Sequence, residues 1–251
     1  MSDNTRAVRA WPFCAFPSLR RRRIGQEMLD DQSLEYPRRI DALVGLKRIN
    51  TFSLTSRSLW KIVRRIAQEN PGQPLRVLDL ASGGGDTAIG LSLRAVRAGI
   101  PLEVHGCDLN HDSVEYANSL AKKARGNASF FVRDVLDQGV PDGYDVIVCT
   151  LFLHHLTDAD AQWLLESMAA SARRLVIISD LNRSLAGYVV AWTACRILSC
   201  SEVVHRDGPL SAQAAFTMKE FATLADKAGL RGYSIRWAWP FRFLFTWRPR
   251  C

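Results

Sequence analysis

From residue 75 onward, short apolar runs alternate with stretches whose apolar positions recur every three or four residues. The runs are "LRVLDLA" at 75–81, "LEVHGCDL" at 102–109, "ASFFVRDV" at 128–135, "YDVIVCTLFL" at 144–153 and "RRLVIISDL" at 173–181. Between them, Thr87 to Ala98, Ser113 to Ala124 and Asp158 to Ser171 carry helical spacing. Strands alternating with helices of this length predict βαβ units and a mainly parallel sheet. Near-continuous stretches such as "VIVC" and "LVII" predict strands covered on both faces. The tail "LRGYSIRWAWPFRFLFTW", from residue 230, predicts two more strands joined near Pro240.

Upstream the pattern is different. Residues 36–49 place Ile40, Leu43, Val44 and Ile49 at helical spacing, and Ser56 to Gln68 repeats it with Leu59, Ile62, Val63 and Ile66. "NPGQP" at 70–74 is a breaker cluster. It divides residues 1–70, irregular to about residue 20 and helical beyond, from a main domain over 71–251. An apolar helical segment at about 183–216 is inserted in that domain, with "RDGP" at 206–209 read as a turn. Thr217 and Glu220 have capping-box spacing, and Gly229 marks the stop of that helix.

Composition narrows the field. Hydrophobic residues make up 47% of the chain, which supports a sizeable core. The net charge is +8, and residues 1–70 hold fourteen Lys/Arg against seven Asp/Glu. That is either an attraction for an anionic partner or a solvated basic helical face. None of the six cysteines forms a CxxC pair or a metal spacing, and Cys107 and Cys149 lie in apolar runs as core thiols. A reducing compartment, the cytoplasm, is expected. The start does not read as a secretory signal, and no apolar run is long enough to span a bilayer.

The chemistry concentrates at "VLDLASGGGDTAIGL", residues 77–91. Here a strand ends on an acid, and three bare glycines lead into a helix. Ligands of open parallel sheets bind beyond the carboxyl ends of the strands. Backbone without Cβ lets a ligand come close, and helix N-terminal amides then face it. Asp108 ends the second strand, where a carboxylate can accept from both hydroxyls of a ribose. Asp134 ends the third, placed to accept from an adenine amino group, and "LFLHHL" follows the fourth.

Together these features resemble the class I S-adenosylmethionine-dependent methyltransferases, of the small-molecule type found in quinone, phenolic-lipid and polyketide pathways. The resemblance covers about residues 75–180. It implies a Rossmann-like α/β fold: a seven-stranded, mainly parallel sheet with one antiparallel strand, helices on both faces, and an added N-terminal helical segment. It implies S-adenosyl-L-methionine as cofactor. The family motif D-x-G-x-G-x-G reads Asp79-Leu80-Ala81-Ser82-Gly83-Gly84-Gly85 here, with Ala81 in place of the first glycine. By resemblance, Asp79 anchors the loop and reaches the methionine amino group through water. Gly83 and Gly85 let the methionine part pass, and Asp108 binds the ribose. Leu109 packs on adenine, Asp134 and Val135 recognise its polar edge, and Thr150 faces the methyl-transfer centre.

His154 and His155 follow the fourth strand and are the catalytic candidates. Histidine titrates near neutrality and can take a phenolic proton, although in this place it can also only shape the pocket. His205 is a weaker candidate, on a segment able to fold over the site. A metal is not implied, since a metal-dependent enzyme needs converging acids and "DLN" at 180–182 is only a faint echo of that. The expected acceptor is a small apolar aromatic or phenolic molecule, with O-methylation favoured and C-methylation next. No nucleic acid is expected. Residues 185–200 read as a lid, a buried helix or a membrane-surface helix, the last assisted by the arginines at 20–23 in a peripheral membrane contact. The rival functions are an RNA or protein methyltransferase, a nicotinamide-dependent oxidoreductase matching "GGGDTA", and a non-catalytic protein of the same fold.

Overall fold

The computed structural model describes residues 18–249, so Cys14, Cys251 and most of the stretch expected to be irregular lie outside the described residues. Seven strands form one sheet: β1 (Leu75–Leu80), β2 (Leu102–Asp108), β3 (Ala128–Val132), β4 (Tyr144–Thr150), β5 (Ala172–Leu181), β6 (Ser234–Ala238) and β7 (Arg242–Trp247). Their order is β3-β2-β1-β4-β5-β7-β6, and β7 runs antiparallel to both of its neighbours. This is the Rossmann-like sheet expected. The order reverses between β1 and β4, so the carboxyl ends of these two strands open a crevice.

Alternation along the central strands builds a core on each face. Val146 and Val148 of β4 face one way with Val77 and Ile177. Ile147 and Cys149 face the other with Leu78 and Ile178. The first face is covered by α2 (Thr55–Glu69), α3 (Asp86–Ala98) and α4 (His111–Ala124). The second is covered by α5 (Asp158–Ser171) and α8 (Met218–Lys227). Phe221 of α8 anchors that side, with ring centroids 4.7 Å from Phe243 and 5.1 Å from Phe245. Truncating such a buried ring to alanine costs about 3–5 kcal/mol.

Turn and cap chemistry fixes the ends. Asn110 caps α4 by accepting from the Ser113 amide at 3.0 Å. Thr217 and Glu220 form the expected capping box on α8, and Gly229 follows in the left-handed region at φ 76°. The third apolar run stops sooner than its pattern implies, at Val132. There the Asp134 carboxylate takes the Leu136 amide at 2.9 Å and turns the chain.

The helical stretch before residue 70 divides. α2 buries Leu59, Val63 and Ile66 in the main core. α1 (Tyr36–Phe52) instead lies over the crevice, packed on α6 (Leu185–Leu198) and α7 (Glu202–Ala214).

One expectation is overturned. "RDGP" is not a turn: Asp207, Gly208 and Pro209 lie inside α7. Gly208 is there because α6 and α7 cross at that point. A Cβ on Gly208 would overlap the Cys195 sulfur. A glycine that looks like a breaker in sequence is a close-approach residue between helices.

Candidate active site

A cavity of about 420 Å³ lies at the carboxyl ends of β1, β2 and β4. Its wall includes Ala81, Gly83, Asp108, Leu109, Asp134, Val135, Thr150, His154 and His155. Of the residues singled out from sequence, Asp79 and Gly85 are not on that wall.

Asp79 is fully buried behind the glycine loop, and neither carboxylate oxygen has a hydrogen-bond partner among the described residues. Burial, followed by the nearby Asp86, pushes its carboxyl well above the ordinary range. Gly85 starts α3 at φ 75°, and a Cβ there would stand 2.5 Å from the Phe130 ring. Its bare backbone admits Phe130 rather than widening the cavity. Gly83, at φ 51°, does face open space: only Leu43 comes within 4 Å of a Cβ built there, at 3.8 Å. Ala81 takes φ 49°, a left-handed conformation where a Cβ is strained by about 1–2 kcal/mol.

Asp108 ties the loop. Its Oδ2 accepts from the Gly83 amide at 2.8 Å, and its Oδ1 accepts from the Asn110 amide at 2.9 Å. Each oxygen keeps a lone pair for a further donor. Burial raises its pKa, against the pull of those two amides. Leu109 beside it is half-exposed and gives the cavity an apolar shelf. Asp134 spends Oδ1 on its own turn and leaves Oδ2 without a partner among the described residues, and Val135 is buried. Thr150 Oγ1 meets Thr87 Oγ1 at 3.4 Å. The next residue, Leu151, is left-handed at φ 55°, which swings the chain into a short 3-10 turn over Leu153–His155.

That turn presents two histidines with ring centroids 4.3 Å apart. His154 Nδ1 lies 2.7 Å from Asp180 Oδ1, and His155 Nδ1 lies 2.8 Å from Asp30 Oδ2. Both Nε2 atoms approach Glu27, each 4.0 Å from one of its oxygens. Burial works against charging His155, but the bond to Asp30 and the charge of Glu27 outweigh it and raise its pKa to about 9. Burial raises Glu27 itself. Burial would raise Asp180 too, but His154 outweighs it and lowers the carboxyl. Glu27, His154 and His155 offer ligand atoms that all lie within 4.8 Å of one another, a set able to hold a cation.

Glu27 and Asp30 escaped the sequence reading. They ride on an irregular strap, residues 25–35, that crosses the cavity. Asp207 holds it by accepting from the Met28 and Leu29 amides, both at 3.0 Å. Arg39 of α1 donates to the carbonyls of Leu29 at 2.8 Å and Asp31 at 2.6 Å. The available signal was the acid-rich "EMLDDQSLE" at 27–35 inside an otherwise basic segment. Asp180, noted only as a faint echo, is the buried partner of His154. His205 is not on the cavity wall: its Nε2 donates to the Ser199 carbonyl at 2.8 Å. The arginine run also splits by role. Arg22 is a clamp that donates to the carbonyls of Ala214, His154 and Leu156.

α6 roofs the other end. Gly187, Val190, Ala191 and Ala194 face the cavity, while Leu185, Val189, Trp192 and Ile197 face outward, the last 75% exposed. Only Cys195 of this helix is buried, so it is not a core helix but a cover on the cavity.

Residues 77–174 match the family model described as "Methyltransferase domain". That stretch is similar to methyltransferase domains, and it holds β1 to β4 and the glycine loop. No curated protein sequence matches the chain. Solved structures share the fold at low identity. Magnesium protoporphyrin IX methyltransferase from Synechocystis PCC 6803, with bound SAH, is 20% identical with a TM-score of 0.54, over 88% of this chain and 90% of that one. The CMeT domain of the citrinin polyketide synthase is 15% identical with a TM-score of 0.59, over 77% and 52%. A candidate O-methyltransferase from Nostoc punctiforme PCC 73102 is 17% identical with a TM-score of 0.53, over 76% and 56%. The chain therefore spans little more than half the length of the last two. The matched residues supply the crevice and loop. The strap, α1 and α6 that close it lie outside residues 77–174.

Proposed function

We propose that the protein transfers a methyl group from S-adenosylmethionine to a small, lipophilic aromatic acceptor, with a phenolic oxygen favoured over carbon. The observation that carries this reading is one cavity lined by Asp108 and the Gly83 loop, by His154 and His155, and by an apolar face of α6. The residues around the Gly83 loop fit the cofactor. Asp108 has lone pairs free for two hydroxyls. Leu109 is an apolar shelf for an adenine. The orphaned Asp79 carboxylate suits a cationic amino group reached through water.

When bound, the cofactor supplies an electrophilic methyl group on a sulfonium. The chain has to align the acceptor atom, remove its proton and exclude water. Alignment in a closed site can contribute on the order of seven kcal/mol or more. Asp180 and Asp30 fix the histidine rings through Nδ1, which leaves Nε2 of each to meet the acceptor's polar group. Asp134 and Val135 are assigned to the adenine edge, and Thr150 to the transfer centre.

The mouth fits a lipophilic acceptor. Segments 42–68, 182–201 and 227–249 frame it and contain no Asp or Glu at all. They also carry the exposed Phe52, Leu54, Trp192, Trp237 and Trp239. The Phe52 and Trp239 rings stand 6.4 Å apart, so two of these segments share one apolar rim. Tryptophan with basic residues is the composition of a surface that rests on anionic lipid. No helix of the described residues is long and apolar enough to cross a membrane.

The test is calorimetric titration with S-adenosylmethionine and with NAD(H), followed by methyl transfer to phenols of increasing alkyl length. Binding of the first alone, with turnover rising with alkyl length, is expected. Binding of NAD(H) instead, or turnover only on RNA or protein, overturns the reading.

A further inference from the structure

We propose that Glu27, His154 and His155 bind one divalent transition-metal ion. The inference starts from proton placement. A carboxylate only accepts hydrogen bonds, so Asp180 and Asp30 require the Nδ1 of each histidine to be the donor. Nε2 of each ring is then the nitrogen left for a further partner. Each stands 4.0 Å from a Glu27 oxygen, too far for a hydrogen bond and close enough to share one bound ion. A bound metal takes the place of any Nε2 proton. No Lys or Arg side chain pairs with Glu27 among the described residues. The one side-chain donor on Glu27 among the described residues is the Ser211 hydroxyl of α7, 2.7 Å from Oε1.

The surroundings are those of a metal site. Each ligating imidazole is backed by a carboxylate on its other nitrogen, which fixes ring orientation and raises ligand basicity. Glu27 is held by Ser211, and its strap by Asp207 and Arg39. Ligands about 2.0–2.2 Å from a metal stand about 3.3 Å apart in a tetrahedron, so the two 4.0 Å distances to Glu27 must shorten by under an ångström. Glu27 sits on irregular chain, which permits that shift. Two imidazoles and one carboxylate favour zinc, iron, cobalt or manganese over magnesium or calcium. All three ligands line the cavity, so an open coordination position faces its interior.

The role of the ion rests on the methyltransferase reading. An acceptor hydroxyl in the open position would lose its proton to solvent at neutral pH, because a bound cation lowers the pKa of a coordinated hydroxyl. The O–CH₃ bond then forms as the S–CH₃ bond breaks.

The experiment uses the full chain, stripped with EDTA, desalted and titrated with Co²⁺ and Zn²⁺. Calorimetry and the visible absorption of cobalt report binding without any substrate. The expected result is one ion per chain at micromolar or tighter affinity, with cobalt bands of a low-coordinate nitrogen–oxygen site. Glu27→Gln, which keeps shape and removes charge, weakens binding at least tenfold. His154→Ala does the same, and His205→Ala leaves it unchanged. No stoichiometric binding, or binding undiminished by Glu27→Gln, overturns the site. Full turnover by stripped enzyme overturns its role. S-adenosylmethionine affinity is measured on the same stripped samples. Its loss there would refute the methyltransferase reading and leave the metal result standing.

Discussion

His155 Nδ1 stands 2.8 Å from Asp30 Oδ2, across 125 positions of sequence. That pair fastens the strap to the end of β4. It turns a crevice of the parallel sheet into a chamber, and it carries Glu27 to the two histidines. Several measurable consequences depend on how the strap is held.

Asp207→Ala removes the acceptor of the Met28 and Leu29 amides. Two amides lose their partner, at about 1–3 kcal/mol each if they stay buried. Amide exchange over residues 27–31 is expected to accelerate at least tenfold. The affinity for S-adenosylmethionine should stay within threefold, because Asp108 and Gly83 do not touch the strap. Exchange as slow as in the wild type would mean that the strap is held by other contacts.

Asp108→Ala strips the loop of two charge-assisted bonds, from Gly83 and Asn110. It also removes both oxygens assigned to the ribose. A loss of about 2–4 kcal/mol in cofactor binding follows, roughly thirtyfold to a thousandfold. Calorimetry on this variant beside His205→Ala checks it. The latter histidine bonds only the Ser199 carbonyl, and its variant should bind within twofold of wild type.

Gly208→Ala is expected to destabilise the chain by about 1–3 kcal/mol in urea unfolding, since the new methyl overlaps the Cys195 sulfur. Cys195→Ala removes that sulfur. The double variant should therefore recover most of the loss, a coupling that a plain loss of helix propensity cannot give. An additive double variant would show that α6 and α7 do not cross there.

The apolar rim predicts binding to vesicles containing phosphatidylglycerol, weaker on neutral vesicles and weakened by salt. Trp192→Ser with Trp239→Ser should lower the bound fraction by roughly tenfold or more, given the area two exposed indoles can bury. Flotation that is equal for wild type and variant would remove the lipid contact from the account.

The sheet was readable because its signals are local. Buried strands announce themselves as apolar runs, and each predicted run from "LRVLDLA" to "RFLFTW" became a strand. Capping chemistry at Thr217 and Glu220 is equally local. "RDGP" failed for the same reason. Gly and Pro carry one meaning in an isolated chain and another beside a helix that demands close approach, and only the Cys195 contact distinguishes them.

The candidate site divides along the same line. Asp108, Asp134 and the glycine loop are set by their distance from strand ends, so the sequence by itself determined the parallel sheet and the part of the cavity wall that those residues form. It also supplied His154 and His155 as residues, but not their orientation. Their rings are turned by Asp180 and Asp30, and their free nitrogens are met by Glu27, all brought in by other segments. Gly85 likewise needed Phe130 beside it before its bareness could be explained. The strap, the α6 roof and the histidine–carboxylate cluster were decided by tertiary structure alone. Periodicity and turn chemistry encode what neighbours in the chain do to one another. A histidine–carboxylate cluster assembled from the turn after β4, from β5 and from the strap exists only where packing brings those three segments together.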